Sequence, residues 1–464
     1  MTRPALASVF CLWAAAAFPA TASVQSLIDA AAARGGGTVR LAPGTYEVAS
    51  LELKSNVTLE LPAGARLAAI TNYSAYADVP GENRGAVVWA NGATNVALVG
   101  EGTVDGRGGA MPRVFGRPGR WRGVVFYRCR DVRLEGVAIR DAHSWACYLK
   151  ECEGVTVRGV TIDNHANYNN DGLDIESSDV LVEDCTIDSE DDALVFKTRT
   201  EQSRVERVVV RNCRIHSNSS FIKVGTETHG RFRDIVVSNC TLSVTRPISV
   251  REPYVTLPGV RGLRTGIAAV DVSIVDGGSL DGFLAKDLVV GEGVMVPVFV
   301  RLGRRRRVAS GTFLRNVTVD GLRMTEPAAS HLTSAVTGVD SFGWGDLSWG
   351  NVWCPWRWSD YRALRPADIT LRNLDLVLAG DDADDGRAWF VSECAGHYPV
   401  AYMFGEDLLP AHAFYVRHAD GVRFENVTVR TVGAPSVRPP VVAEDATQAG
   451  ASEIRCLSPQ NTRR

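Results

Sequence analysis

The chain has 464 residues, 45% hydrophobic and 22% charged, with 44 Gly and 20 Pro; this fits a soluble protein with many turns and a large core, and excludes wholesale disorder or a multispan membrane protein. At about 150 residues per domain the length suggests roughly three domains, unless a repeat lets one core grow rung by rung. Lys and Arg total 50 against 53 Asp and Glu, a formal charge of -3, so there is no basic excess of the kind that holds nucleic acid by counterion release.

In chain order, the first 22 residues read as a secretory signal. Arg3 supplies a positive charge, residues 7–18 are apolar, and Ala20-Thr21-Ala22 offers a cleavage site before Ser23. The apolar stretch is too short to span a bilayer of about 30 Å, so no membrane partner is expected, and the mature chain is expected to be secreted or periplasmic. Residues 26–34 predict a helix that starts at a Ser26 cap, stops at Gly35, and covers the open N-terminal end of the main body of the chain.

That main body is a repeat. Segments beginning at Val155, Val180, Val208 and Ile235 are copies of one pattern, each spaced from the last by 25 to 28 residues, with weaker copies from Val132, Val317, Ile369 and Val422. Each copy alternates apolar and polar β-formers and is broken by Gly, Asn or Asp, which reads as strand, turn and strand. A unit this short cannot bury its apolar face alone, so copies stack at the strand spacing of about 4.8 Å. The fold class is therefore all-β, a single-stranded parallel β-helix over residues 23–435, with a tail at 436–464 and long loops near 325–368 and 378–412. Trp344, Trp349, Trp353, Trp356 and Trp358 fall in the first loop, either as sugar-stacking platforms or as the loop's own packing. Cys185, Cys213 and Cys240 share one repeat position and should stack as buried thiols, whereas Cys354 and Cys394 sit in loops where a disulfide is open. The basic run Arg301, Arg304–Arg307 reads as a solvated turn.

In a stacked coil, spacing becomes geometry. Asn169-Asn170-Asp171-Gly172-Leu173-Asp174 precedes one copy and Glu190-Asp191-Asp192 comes after it; Asp171 and Asp192 are slightly less than one rung apart, so their carboxylates should meet on adjacent strands. Lys197 and Lys223 are also about a rung apart and should be neighbours. Clustered carboxylates repel unless a reaction needs one protonated. Glycoside hydrolysis has that need: one acid protonates the leaving oxygen while a carboxylate activates water or attacks the sugar. Lys197, Arg199 and Lys223 either grip an acidic substrate or neutralise the same aspartates.

The Asn169–Asp174 run, the Glu190–Lys197 run and the upstream Ser144-Trp145 resemble the motifs of glycoside hydrolase family 28, the polygalacturonase-like enzymes. The resemblance implies a right-handed parallel β-helix and an inverting hydrolase of α-linked pectin-type polysaccharide or oligosaccharide. It further implies Asp191 as general acid, Asp171 and Asp192 as the pair that positions and deprotonates water, and Asn169 and Asp174 as substrate contacts. No metal or cofactor and no partner beyond the glycan are implied, and the chain is expected to act as a monomer. Two departures stand out: Ser219-Ser220-Phe221 replaces the family's Gly-His-Gly, and the segment from Arg264 lacks its Arg-x-Lys. His229 is the candidate substitute for the missing histidine. The rival readings are a β-helical polysaccharide lyase and a non-catalytic carbohydrate-binding β-helix.

Overall fold

The structure, a computed structural model, describes residues 23–82, 84–111, 120–246, 265–306, 311–328, 333–339, 363–380, 391 and 409–457. The signal segment, the five loop tryptophans, Cys354, Cys394 and Arg264 lie outside the described residues.

Strand alternation places every second residue inside, and the repeat phase aligns those residues into ladders. Val96, Val132, Val155, Val180, Val208, Ile235, Phe283, Val317 and Ile369 pair rung to rung in parallel register, and every one is at most 2% exposed. The result is the expected parallel β-helix, right-handed in the sense that twisted strands favour. The thiols of Cys185, Cys213 and Cys240 are buried at equivalent positions, each donating 3.2 Å to a carbonyl two residues back, as their shared phase requires.

Turn chemistry sets the corners. Asn56, Asn95, Asn212, Asn239, Asn373 and Asn426 all have φ between 50° and 61°, a left-handed conformation that asparagine tolerates better than most L-residues. Their amides stack, with Asn95 donating to Asn56 at 3.1 Å, Asn239 to Asn212 at 2.8 Å and Asn426 to Asn373 at 2.9 Å.

Helix α1 (Val24–Ala33) closes the N-terminal end, burying Val24, Ile28 and Ala31 against the first rungs and covering strand edges that would otherwise be open to pairing. It begins earlier than the sequence suggests: Ser23, not Ser26, is the cap, and its Oγ accepts the Ser26 N–H at 3.2 Å. The basic run also differs from expectation. Arg301 is 1% and Arg304 7% exposed; Arg301 lies at the end of the strand Val294–Leu302, and its Nη1 donates to Thr337 Oγ1 (3.1 Å) and the Gly338 carbonyl (3.0 Å), so it ties its rung to the next. Among the described residues no helix is long and apolar enough to cross a membrane.

One outer face differs from an ordinary solvent face. Val125, Tyr148, Asp174, Val195, Lys223, Asp271, Phe299, Ala335 and Tyr415 form a single outward ladder, and each is buried. Loops cover this face, and its polar middle is the candidate site.

Candidate active site

The strands Cys147–Arg158, Leu173–Glu183, Leu194–Thr198 and Ser220–Thr228 enter the covered face side by side. Backbone bonds at their starts hold successive rungs together: Ala146 N–H donates to the Asp171 carbonyl (2.9 Å), Gly172 N–H to Asp192 (3.0 Å) and Ala193 N–H to Ser220 (3.0 Å). Gly172 has to be glycine, since a Cβ there would lie 2.6 Å from the Ala193 carbonyl. Asp171 and Asp192 thus stand at equivalent points of adjacent rungs, as their spacing predicts.

Asp191 is half-buried. Its N–H donates to Asn170 Oδ1 (2.9 Å), its Oδ1 accepts the Asp192 N–H (2.9 Å), and its carbonyl accepts from Ser189 and Ser217 Oγ (both 2.8 Å). Hydrogen bonds from four residues therefore fix the turn that carries it. Asp192 Oδ1 accepts from Ser219 Oγ (2.7 Å) and the Ser220 N–H (3.0 Å), so the Ser-Ser pair standing in place of the family's histidine orients this carboxylate. Asn169 Oδ1 accepts from Arg120 Nη1 at 3.0 Å.

The cations behave differently from one half of the expectation. The side chains of Lys197 and Lys223 are 6% and 1% exposed, and both are engaged by carboxylates of the chain itself. Lys197 Nζ lies 3.0 Å from Asp171, 3.2 Å from Asp174, 3.5 Å from Glu227 and 3.9 Å from the centre of the Trp145 ring. Lys223 Nζ lies 3.2 Å from Asp271 and 3.6 Å from Asp192. Nor are the two lysines paired across rungs, because Lys223 stands opposite Val195, two positions before Lys197. Arg199 reaches back to Glu82, both of whose oxygens are 3.0 Å from its Nη1. Among the described residues no hydrogen bond or ion pair joins His229 to Asp171, Asp191 or Asp192: its backbone N–H donates to the Thr198 carbonyl at 3.0 Å.

Burial dominates the electrostatics. It pushes the Asp171 carboxyl up against the opposing pull of Lys197, and the charge of Asp192 adds to the rise. Burial lifts Asp174 well above the usual range and Asp271 above it. Although burial also works against its charge, Lys197 is held as an ammonium by Asp171, Asp174 and Glu227. Burial thus favours the protonated form of these carboxyls while the lysines favour the charged one, and Asp191 stands at the more open edge of the cluster. Among the described residues no group of three or more His, Cys, Asp or Glu is arranged to hold a metal ion.

Several contributors were not legible beforehand. Glu82, Arg122 and Glu227 line the cleft beside Trp145, and Asp271 braces Lys223 from one rung further on. Only Asp271 had a signal, its ladder position opposite Lys223, and the 48-residue separation hid it.

A right-handed parallel β-helix carrying a loop-covered carboxylate cleft is the class these features define. The profile of glycosyl hydrolases family 28 matches residues 41–251. A probable polygalacturonase of Arabidopsis thaliana is 26% identical over 189 residues, 34% of this chain and 41% of that one. An endo-polygalacturonase of Pectobacterium carotovorum is 21% identical over 276 residues, 53% of this chain and 67% of that one. Among solved structures, an exopolygalacturonase of Thermotoga maritima superposes with a TM-score of 0.55 at 20% identity, covering 77% of this chain and 83% of that one. A family 28 exopolygalacturonase of Yersinia enterocolitica gives 0.53 at 15%, covering 94% and 76%. Over residues 41–251 the chain is therefore similar to the glycosyl hydrolases of family 28, and these relatives are polygalacturonases. It spans less than half the length of the Arabidopsis relative.

Proposed function

We propose that the protein is a glycoside hydrolase that cleaves α-linked pectin-type polysaccharide or oligosaccharide by direct attack of water, with inversion. The observation that carries this reading is the meeting of Asp171 and Asp192 on consecutive rungs beside the hydrogen-bonded turn that presents Asp191. Asp191 gives its proton to the leaving oxygen as the glycosidic bond breaks. Asp171 and Asp192 bind the water and draw its proton as it attacks the sugar carbon from the opposite face, which accounts for inversion. The ion pairs of Lys197 and Lys223 keep the buried aspartates in place and oppose the rise that burial imposes on Asp171, Asp174 and Asp271. A polymer substrate and the leader-like first 22 residues support action in the periplasm or outside the cell, by a monomer that needs no partner but its glycan.

An elimination mechanism is disfavoured by a specific feature. A lyase base must lose its proton, whereas three carboxylates hold the Lys197 ammonium charged.

The test is release of reducing ends from a panel of pectic polymers and oligosaccharides, with ultraviolet absorbance followed and EDTA present or absent. New reducing ends without unsaturated product, insensitive to EDTA, are expected. Asp191→Asn should lower kcat by about 10²–10⁴-fold, the usual yield of a general acid, with an unchanged melting curve. Full turnover by this variant would sink the assignment.

A further inference from the structure

Beside the aspartates lies a charge arrangement that the proposed reaction does not use. Glu82 enters the cleft from the loop before the strand Ala86–Asn91, and its side chain is 2% exposed. Its Oε2 is 2.5 Å from Arg122 Nη1 and 3.0 Å from Arg199 Nη1; its Oε1 is 2.6 Å from Lys150 Nζ and again 3.0 Å from Arg199 Nη1. Burial works against the charge, yet Arg122, Arg199 and Lys150 hold the carboxyl down at about 2. Two guanidinium groups and an ammonium converging on one carboxylate are what a protein builds to recognise a carboxylate. Here the carboxylate belongs to the chain itself.

The arrangement is continuous with the site. The Arg122 guanidinium lies 4.5 Å from the Trp145 ring centre, and Lys197 Nζ lies 3.9 Å from the centre of the same ring, so one indole separates the Glu82 cluster from the Asp171 cluster. The cleft at this point has a volume of about 150 Å³. Glu82 and Glu227 line it together with Arg122 and Arg199, both taken by Glu82, and the already partnered Arg84.

We propose that Glu82 occupies the position a substrate carboxylate would otherwise take, and so makes the sugar unit bound beside Trp145 a neutral hexose or deoxyhexose, not a hexuronate. The inference rests on the reading that this cleft binds glycan. A uronate entering here would bring a third carboxylate against Glu82 and Glu227, while the Arg199 group that would bind it is already engaged. Discrimination by an opposing like charge is stronger than discrimination by fit alone. The absence of the family's Arg-x-Lys is consistent with a cleft that does not read uronate in the family's manner.

The experiment compares galacturonic acid with galactose, which differ only at C6, by Trp fluorescence and saturation-transfer NMR on the wild type, Glu82→Gln and Glu82→Ala. Melting curves establish that each variant is folded, and the isosteric Gln keeps the test open if the Ala variant is not. The expected result is a wild type that binds galactose in preference to galacturonic acid. Both folded variants should gain about tenfold or more in galacturonic acid affinity, about 1.4 kcal/mol, the gain disappearing in high salt and galactose binding changing little. A wild type that binds galacturonic acid as tightly as the variants, or folded variants that gain nothing, would overturn the inference and leave the glycan reading standing. A wild type that binds no sugar, with variants that acquire galacturonic acid, would overturn the glycan reading and keep the carboxylate position.

Discussion

Lys197 is the point at which the stability and chemistry of the cleft meet, and replacing it with methionine separates them. The substitution keeps the aliphatic length and the contact with Trp145 but removes a charge held between Asp171 at 3.0 Å and Asp174 at 3.2 Å, both fully enclosed. Removing one partner of a buried ion pair costs about 3–5 kcal/mol, because the remaining charge is left without compensation. The protein will limit that loss by protonating the stranded carboxyls, so Asp171 and Asp174, already raised by burial, move further up in the variant. This sets the direction of the pH dependence. A carboxyl whose folded pKa lies above its unfolded value binds more protons in the native state, so its stabilising contribution is complete at low pH and is lost as pH rises through the folded value. Lys197→Met should therefore be closest to wild type near pH 4 to 5, and should fall behind by about 1.4 kcal/mol per pH unit for each carboxyl involved, or about 2.7 for both. Chemical unfolding monitored from pH 4 to 8 reads this directly, and adding Asp174→Asn should restore much of the loss at pH 7. A variant within about 0.5 kcal/mol of wild type, with the same pH slope, would refute the ion-pair account.

The same geometry leads to two further outcomes. Asn170→Ala removes the acceptor of the Asp191 N–H (2.9 Å); leaving that amide without a partner costs about 1–3 kcal/mol. A mispositioned acid should lower kcat with KM little changed, measured on whichever glycan the wild type cleaves. Glu82, held at about 2, has the opposite sign to Asp171: its stabilising contribution is complete above the ordinary Glu value of about 4.3 and is lost as pH falls toward 2. Acid unfolding of Glu82→Gln should accordingly be shallower than that of the wild type over this window, and an identical profile would contradict the assigned ion cluster.

The coil was readable because it depends on local alternation repeated in phase. Val155, Val180, Val208 and Ile235 announce both the strand and its register, and the shared position of Cys185, Cys213 and Cys240 marks an interior ladder. The carboxylates were readable for the same reason, since Asp171 and Asp192 flank one copy of the repeat and spacing alone sets them side by side. Lys197 was misjudged because its spacing from Lys223 is shorter than the rung: the regular register pairs Lys223 with Val195, two positions before Lys197. Glu82 could not be found by periodicity, because its partner Arg199 is 117 residues away and it arrives on a loop that has no rung position. Arg301 was misread because a basic run resembles a solvated turn, whereas Arg301 belongs to a buried strand and bonds to the next rung. In physical terms, backbone pairing obeys short-range rules that sequence carries, whereas loop closure over a face depends on three-dimensional complementarity that it does not.

The asparagine corners have a bearing on how such a molecule changes over time. A rung is defined where the backbone turns and where its strands join their neighbours, so the length of chain between those points is free. Residues 208 and 235 are successive partners in one ladder, and so are residues 235 and 283, although the second interval is far longer. The register is regular again at residue 283 whatever the length of chain between. Insertions and deletions can therefore remodel the cover of the cleft, including the segment bearing Glu82, without altering the rungs that hold Asp171, Asp191 and Asp192. The scaffold separates the inheritance of the reaction from that of the substrate, and a lineage built on it can acquire a new sugar preference by exchanging loops over unchanged rungs.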